Sequence, residues 1–242
     1  MAHELVVLKS DLTTLFIDGA IDSNIIDASF FIMSENKTRI GQEQNLYLPS
    51  FIFKTNSESD QHHIDRTLKR LLEENVDNVG KVFMLIKHYY HFTLVVWDIK
   101  NGKMTHYNSK LPMIKGTTDI YVKHVVQVRD KIEALYKDFK ADQTLKIEIK
   151  RCLTCAQQRE NSLDCCLFVI HFANQIHEGK PIESTFHKEE VFKKRASIVT
   201  ILVNHLHNYP NGLKRLLEEK RVARKYDYID ELFGDDDDHI SL

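Results

Sequence analysis

Residues 91–109 read HFTLVVWDIKNGKMTHYNS, two runs of strand-forming residues on either side of Asn101-Gly102. Both turn residues tolerate positive φ, so the stretch is a strong hairpin signal and commits the middle of the chain to an antiparallel ribbon. On a two-residue Asn101-Gly102 turn, Asn108 pairs with Val95, and Val95 shares a face with His91 because their separation is even. Asp98 is an odd number of residues from His91 and points to the opposite face. Asn108 and His91 thus lie on one side of the ribbon, yet a perfect ladder leaves them roughly 13 Å apart along the strand. A bulge, strong twist or early strand exit has to close that gap.

The flanking sequence alternates helix and strand patterns. KVFMLIKH (81–88) is a near-continuous apolar run and reads as a buried strand. In DQHHIDRTLKRLLEENV, Ile64, Leu68, Leu71 and Leu72 fall on one helical face. Tyr121, Val125, Val128, Ile132, Leu135 and Phe139 step at helical spacing, TLKIEIKRCLT alternates like a strand, and an apolar helix is predicted from Cys165 to about His177. KEEVFKKRASIVTILVNHL is a further helix. Upstream, DLTTLFIDGAIDSNIIDASFFIMSEN reads as two short helices broken at Asp18-Gly19, and QNLYLPSFIF as a strand interrupted by Pro49 or a loop into one. These elements predict an α+β fold, a central mostly antiparallel sheet flanked by helices, over residues 1–209. After Pro210-Asn211-Gly212 a charged amphipathic helix is expected at 210–233, then an acidic disordered tail at 234–242.

The formal net charge of −2 makes no global case for nucleic acid or a membrane surface as partner, and no apolar run approaches the ~20 residues of a membrane span. The N-terminus lacks the pattern of a signal peptide. Four cysteines in 242 residues are too few for a disulfide scaffold, so the thiols are expected to stay free in a reducing compartment, cytoplasm or nucleus.

One thiol stands in a distinctive place. In QQRENSLDCCLF, Cys165 opens the apolar helix directly behind a polar loop, where the partial positive charge of a helix N-terminus favours a thiolate. Nucleophilic work also needs an imidazole to take the proton and a third group to fix its tautomer. His91, at the start of its strand, is the best-placed imidazole among 13 histidines, with Asn108 as its orienting group.

In order, HFTLVVWDIKNGKMTHYNS and QQRENSLDCCLFV resemble the catalytic core of the SUMO- and other ubiquitin-like-modifier-specific cysteine proteases, a clan that includes bacterial effector deubiquitinases. AIDSNIIDASFFI and KVFMLIKHYYHFTL are similar to its N-terminal helix and pre-histidine strand, and VFKKRASIVTIL to its Arg-containing helix, so the likeness spans about residues 5–208. In size and layout it is closest to the single-domain deneddylase branch. The resemblance implies a papain-like fold, hydrolysis of the peptide or isopeptide bond after a C-terminal Gly-Gly, no metal or organic cofactor, and a monomer. Its partner would be ubiquitin or a ubiquitin-like protein and its conjugates, gripped by the N-terminal helices and an exposed edge around YLPSFIF. If a microbe delivers the protein, the place of work would be host cytosol.

Residue by residue, the resemblance makes Cys165 the nucleophile, His91 the base, and Asn108 the orienter where the family usually has Asp. Gln158, or Gln157 beside it, would complete the oxyanion hole, and Phe92, Asn161 and Asp164 would face substrate. Cys166 replaces the family glycine and is expected to crowd the substrate carbonyl. Ala20 stands near one of the two tryptophan positions that roof the Gly-Gly channel, and Phe92 at the other.

Other readings compete. Cys152, Cys155, Cys165 and Cys166 could form a zinc site, but the adjacent pair matches poorly, and Cys152-x-x-Cys155 lacks the strand-to-helix context of a redox motif. His88, His106 and His62-His63 read as surface or satisfied strand residues, and Trp97 as sheet packing. A clan-related acetyltransferase and a catalytically degenerate modifier-binding protein are the rival functions.

Overall fold

In the computed structural model, the residues described are 7, 9–16, 19–35, 44–53, 58–112, 119–140 and 145–206. The expected boundary near Tyr209, the helix at 210–233 and the tail at 234–242 lie outside them. In chain order the elements are α1 (Lys9–Thr13), α2 (Ser23–Glu35), β1 (Gln44–Tyr47), a 3-10 turn (Ser50–Phe53), α3 (Glu58–Asn75), β2 (Val79–His88) and β3 (His91–Asp98). Then follow β4 (Lys103–Tyr107), α4 (Val122–Phe139), β5 (Glu148–Cys152), α5 (Cys165–His177) and α6 (Lys188–Leu206).

The strands form one sheet in the order β1-β2-β3-β4-β5. Its three central strands are antiparallel, as expected, but β1 on β2 and β5 on β4 are parallel, so the sheet is mixed. Both parallel pairings follow from crossovers: α3 carries the chain from β1 to β2, and α4 from β4 to β5.

Alternation along β2 and β3 divides the core in two. Phe83, Leu85, Leu94 and Val96 face α2, α5 and α6; Val82, Met84, Ile86, Val95 and Trp97 face α3 and α4. Both faces are covered, which is why these strands read as unbroken apolar runs. Ile64, Leu68 and Leu72 on α3 and Val125, Val128 and Ile132 on α4 are buried, as their spacing required. Helix α5 is apolar nearly all round because it lies between the sheet and the outer helices α2 and α6. It stops in a Schellman motif: Gly179 takes φ +68, its N–H donates to Ile176, and Lys180 N–H donates to Gln175.

Two expectations need correcting. Residues 47–53 are not an exposed edge, since Leu48, Ser50 and Ile52 are buried and the rest half-buried. The β3–β4 hairpin does not turn on two residues either. Asp98 pairs with Lys103 and Val95 with His106, so the loop holds Ile99–Gly102. Gly102 N–H closes it on Ile99 O at 3.1 Å, while the Asp98 carboxylate accepts from the main chain and the side chain of Asn101 at 3.0 and 2.9 Å. That carboxylate favours a four-residue turn ending in Gly at φ +58 over a tight Asn-Gly one. A slip of two leaves every side chain on its expected face but moves Asn108 opposite Thr93, two residues nearer His91.

Candidate active site

The slip brings His91 and Asn108 to within about 7 Å of ladder distance, and the strand exit after Tyr107 closes the rest. His91 Nε2 and Asn108 Oδ1 meet at 2.8 Å. Asn108 is 1% exposed, and its amide is held from every side. Oδ1 also accepts Lys110 N–H at 2.9 Å, while Nδ2 donates to Lys110 O and to Asp119 Oδ2, both at 3.2 Å. Turning the amide over would set Nδ2 against an N–H and Oδ1 against a carboxylate, so its orientation is determined. His91 Nε2 therefore carries the hydrogen, and Nδ1 is the ring's available acceptor. Tyr121 packs against the same ring at 4.9 Å between centroids.

Cys165 is the first residue of α5 and only 3% exposed. In its thiol form the S–H points at the Tyr90 carbonyl, 3.7 Å away. Its pKa is pulled down to about 5: a hydrogen bond from Cys166 contributes most, burial opposes it, and His91 and the Phe92 main chain lower it further. The Cys166 hydrogen is shared, because the Ile21 carbonyl lies 3.0 Å from the same sulfur, so the Phe92 main chain, and His91 once it has taken the thiol proton, are the steadier donors to the thiolate. Burial first, then the neighbouring thiol, push Cys166 well up. One thiol of the pair is thus poised to ionise and the other to stay protonated. The Cys166 side chain is buried in the core, its sulfur against the Ile21 carbonyl just before α2.

The polar loop before α5 is stitched to the segment after β4. Gln158 N–H donates to Ser109 O at 2.8 Å, Ser109 Oγ donates to Gln158 Oε1 at 2.9 Å, and Gln158 Nε2 donates to Ser162 O at 2.7 Å. Gln157 Nε2 is shared among Asn108 O, Cys155 O and Ala156 O, and its Oε1 accepts Leu111 N–H. Asn161 is exposed and, with Arg159, Leu163 and Phe192, lines a cavity of about 450 Å³ between this loop and α6.

Two expected substrate contacts are placed otherwise. Asp164 pairs with Arg195 of α6 at 2.5 Å and accepts from Ser162 Oγ, while Arg195 also donates to Thr14 O and Gly19 O. Asp164 therefore braces the start of α5 against α6 and the α1–α2 connection. Phe92 is buried among the core residues of the α5 side, with the Lys87 ammonium 5.2 Å from its ring centroid.

Tyr89 and Tyr90 are exposed at 79% and 84%, and it is the Tyr90 carbonyl that lies 3.7 Å from the thiol. The two tyrosines form the two-residue β2–β3 turn, and Tyr89, two residues before His91, takes φ +52, a strained value for a bulky residue. Sequence reading passed over this pair and over Asp119, which is 1% exposed behind Asn108. An acid just before a helix looks like a cap, and nothing local announces that it meets β4.

A low-pKa thiol at a helix start, an imidazole and a clamped carboxamide define a cysteine peptidase. Residues 31–206 match the Ulp1 protease family, C-terminal catalytic domain. The chain belongs to that family. Solved structures agree on the fold. The SUMO protease Ulp1 with its catalytic cysteine oxidised to a sulfonic acid is 16% identical, with TM-score 0.63, over 84% of this chain and 87% of that one. The C-terminal Ulp1 protease domain in complex with Smt3, the yeast orthologue of SUMO, is 18% identical, with TM-score 0.61, over 81% of each chain. The Ulp1-like SUMO protease catalytic domain of Chaetomium thermophilum is 22% identical, with TM-score 0.56, over 77% and 73%. The sequence has no significant match among curated proteins.

Proposed function

We propose that this peptidase cleaves the peptide or isopeptide bond after the C-terminal Gly-Gly of a ubiquitin-like protein, a SUMO-type modifier first among the candidates. The observation that carries the reading is the 2.8 Å bond from His91 Nε2 to Asn108 Oδ1, which leaves Nδ1 for the Cys165 thiol. Cys165 gives its proton to His91 and attacks the glycine carbonyl carbon. The oxyanion is held by the Cys165 main-chain N–H and the Gln158 amide, which among the described residues commits one Nε2 hydrogen to Ser162. His91 then protonates the leaving amine, a thioester forms, and water deprotonated by His91 releases the modifier.

SUMO is the first candidate because the solved relatives of this fold include SUMO proteases, one in complex with Smt3. Tyr89 and Tyr90, exposed in the turn whose Tyr90 carbonyl faces the thiol, are the proposed contacts for the modifier's tail. We propose a reducing compartment, cytoplasm or nucleus, as the place of work, since the nucleophile has to stay a free thiol.

The test is hydrolysis of C-terminal aminocoumarin derivatives of SUMO, ubiquitin and a Nedd-type modifier. Release from the SUMO derivative, abolished by Cys165→Ala, is expected. Release from none of the three would refute the reading.

A further inference from the structure

We propose that Asp119 is the carboxylate of this site, a positioning residue that acts on His91 through the Asn108 amide. The proposal rests on the roles given above to Cys165 and His91. With Asn108 alone, the ring would be oriented by a neutral group, and the imidazolium formed on proton transfer would have the thiolate opposite it but no carboxylate behind it. Asp119 supplies one a single hydrogen bond further back. Its two oxygens divide the work. Oδ1 accepts Tyr121 N–H at 3.0 Å at the start of α4, while Oδ2 accepts Asn108 Nδ2 at 3.2 Å. The turn leading into α4 therefore accounts for one oxygen only.

The other groups facing Asp119 are Arg151 on β5, its Nη2 3.5 Å from Oδ2, and His106 on β4, its Nδ1 3.9 Å away. Arg151 is partly exposed and sits at the limit of a hydrogen bond. Burial holds the His106 imidazole down to about 4, against the pull of Asp119, so it is neutral at pH 7. The buried carboxylate oxygen is thus shared between the Asn108 amide at 3.2 Å and the more distant Arg151 guanidinium. A negative group on Nδ2 draws electron density through the amide onto Oδ1, the atom that His91 contacts, since hydrogen bonds in series polarise one another.

The test compares kcat and KM of Asp119→Asn, Asn108→Asp and the double variant on the modifier derivative. Asp119→Asn keeps an oxygen for the Tyr121 N–H but loses the charge, so kcat is expected to fall ~10- to 100-fold with KM unchanged, the range seen for partners one step behind a working group. Asn108→Asp alone sets two carboxylates side by side and is expected to give no gain. The double variant exchanges amide and carboxylate, puts the charge directly on His91, and is expected to recover at least ~10-fold over Asp119→Asn. Undiminished kcat in Asp119→Asn, or a double variant as slow as the product of the singles, overturns the proposal. If His91→Ala is inactive while Asp119→Asn is not, the catalytic pair stands and Asp119 alone is refuted. Full kcat in His91→Ala refutes both.

Discussion

His91 and Asn108 are joined at 2.8 Å through an amide whose other hydrogen bonds, to Lys110 and Asp119, leave it no second orientation. The imidazole is thereby fixed in tautomer and in plane before any substrate arrives. Asn108→Ala removes the acceptor and is expected to lower kcat by roughly 10²- to 10⁴-fold while KM changes little. Steady-state hydrolysis of a modifier aminocoumarin reads this directly.

Cys165 is held at about 5, by Cys166 first and then, against burial, by His91 and the Phe92 main chain. Alkylation needs the thiolate, which is present above the pKa and lost as pH falls through it. The iodoacetamide rate at the Cys165 peptide, followed by mass spectrometry, should rise through about pH 5 and be level by neutrality. His91→Ala removes one of the lowering contacts, so the rise should move to higher pH. A wild-type rise centred near pH ~8.5, that of an ordinary thiol, would contradict the assignment.

Arg195 joins the start of α5 to α6 through Asp164 and reaches back to Thr14 O and Gly19 O. Arg195→Ala leaves a mostly buried carboxylate uncompensated and should cost about 3–5 kcal/mol of stability. Changing Asp164 and Arg195 together to apolar residues should cost less than Arg195→Ala alone, because no lone charge remains. Urea unfolding of the single and double variants measures both.

Gly102 ends the hairpin turn at φ +58, with the Lys146 carbonyl 3.3 Å from where a Cβ would lie. Gly102→Ala is expected to destabilise by about 1–2 kcal/mol, most of it from the left-handed backbone. The same turn sets the register that carries Asn108 to His91, so kcat should fall as well. A loss of stability with kcat untouched would show that the site does not depend on the turn.

Periodicity disclosed much of the fold because burial selects it: the faces of α3 and α4 and the apolar girth of α5 are written in apolar spacing, while the pairing of β3 with β4 was announced by Asn101-Gly102 between two strand-forming runs. It also put His91 and Asn108 on one face, since parity survives any even slip. The slip itself was hidden, because Asn101-Gly102 suits a two-residue turn on its own and only the Asp98 carboxylate tips it to four. The direction of the Cys166 side chain and the tie from Asp164 to Arg195 depend on how α5 sits against α2 and α6, which local sequence does not encode. Asp119 was illegible for the same reason, its partner Asn108 lying just past the end of β4 rather than on the helix that Asp119 precedes.

The most direct measurement is the intact mass of the protein after incubation with SUMO bearing a C-terminal electrophile, followed by peptide mapping. One equivalent of adduct at Cys165, absent in Cys165→Ala and strongly slowed in His91→Ala, is the predicted result. A complex that dissociates on denaturation, or an adduct that maps to Cys152, Cys155 or Cys166, would contradict a nucleophile at the head of α5.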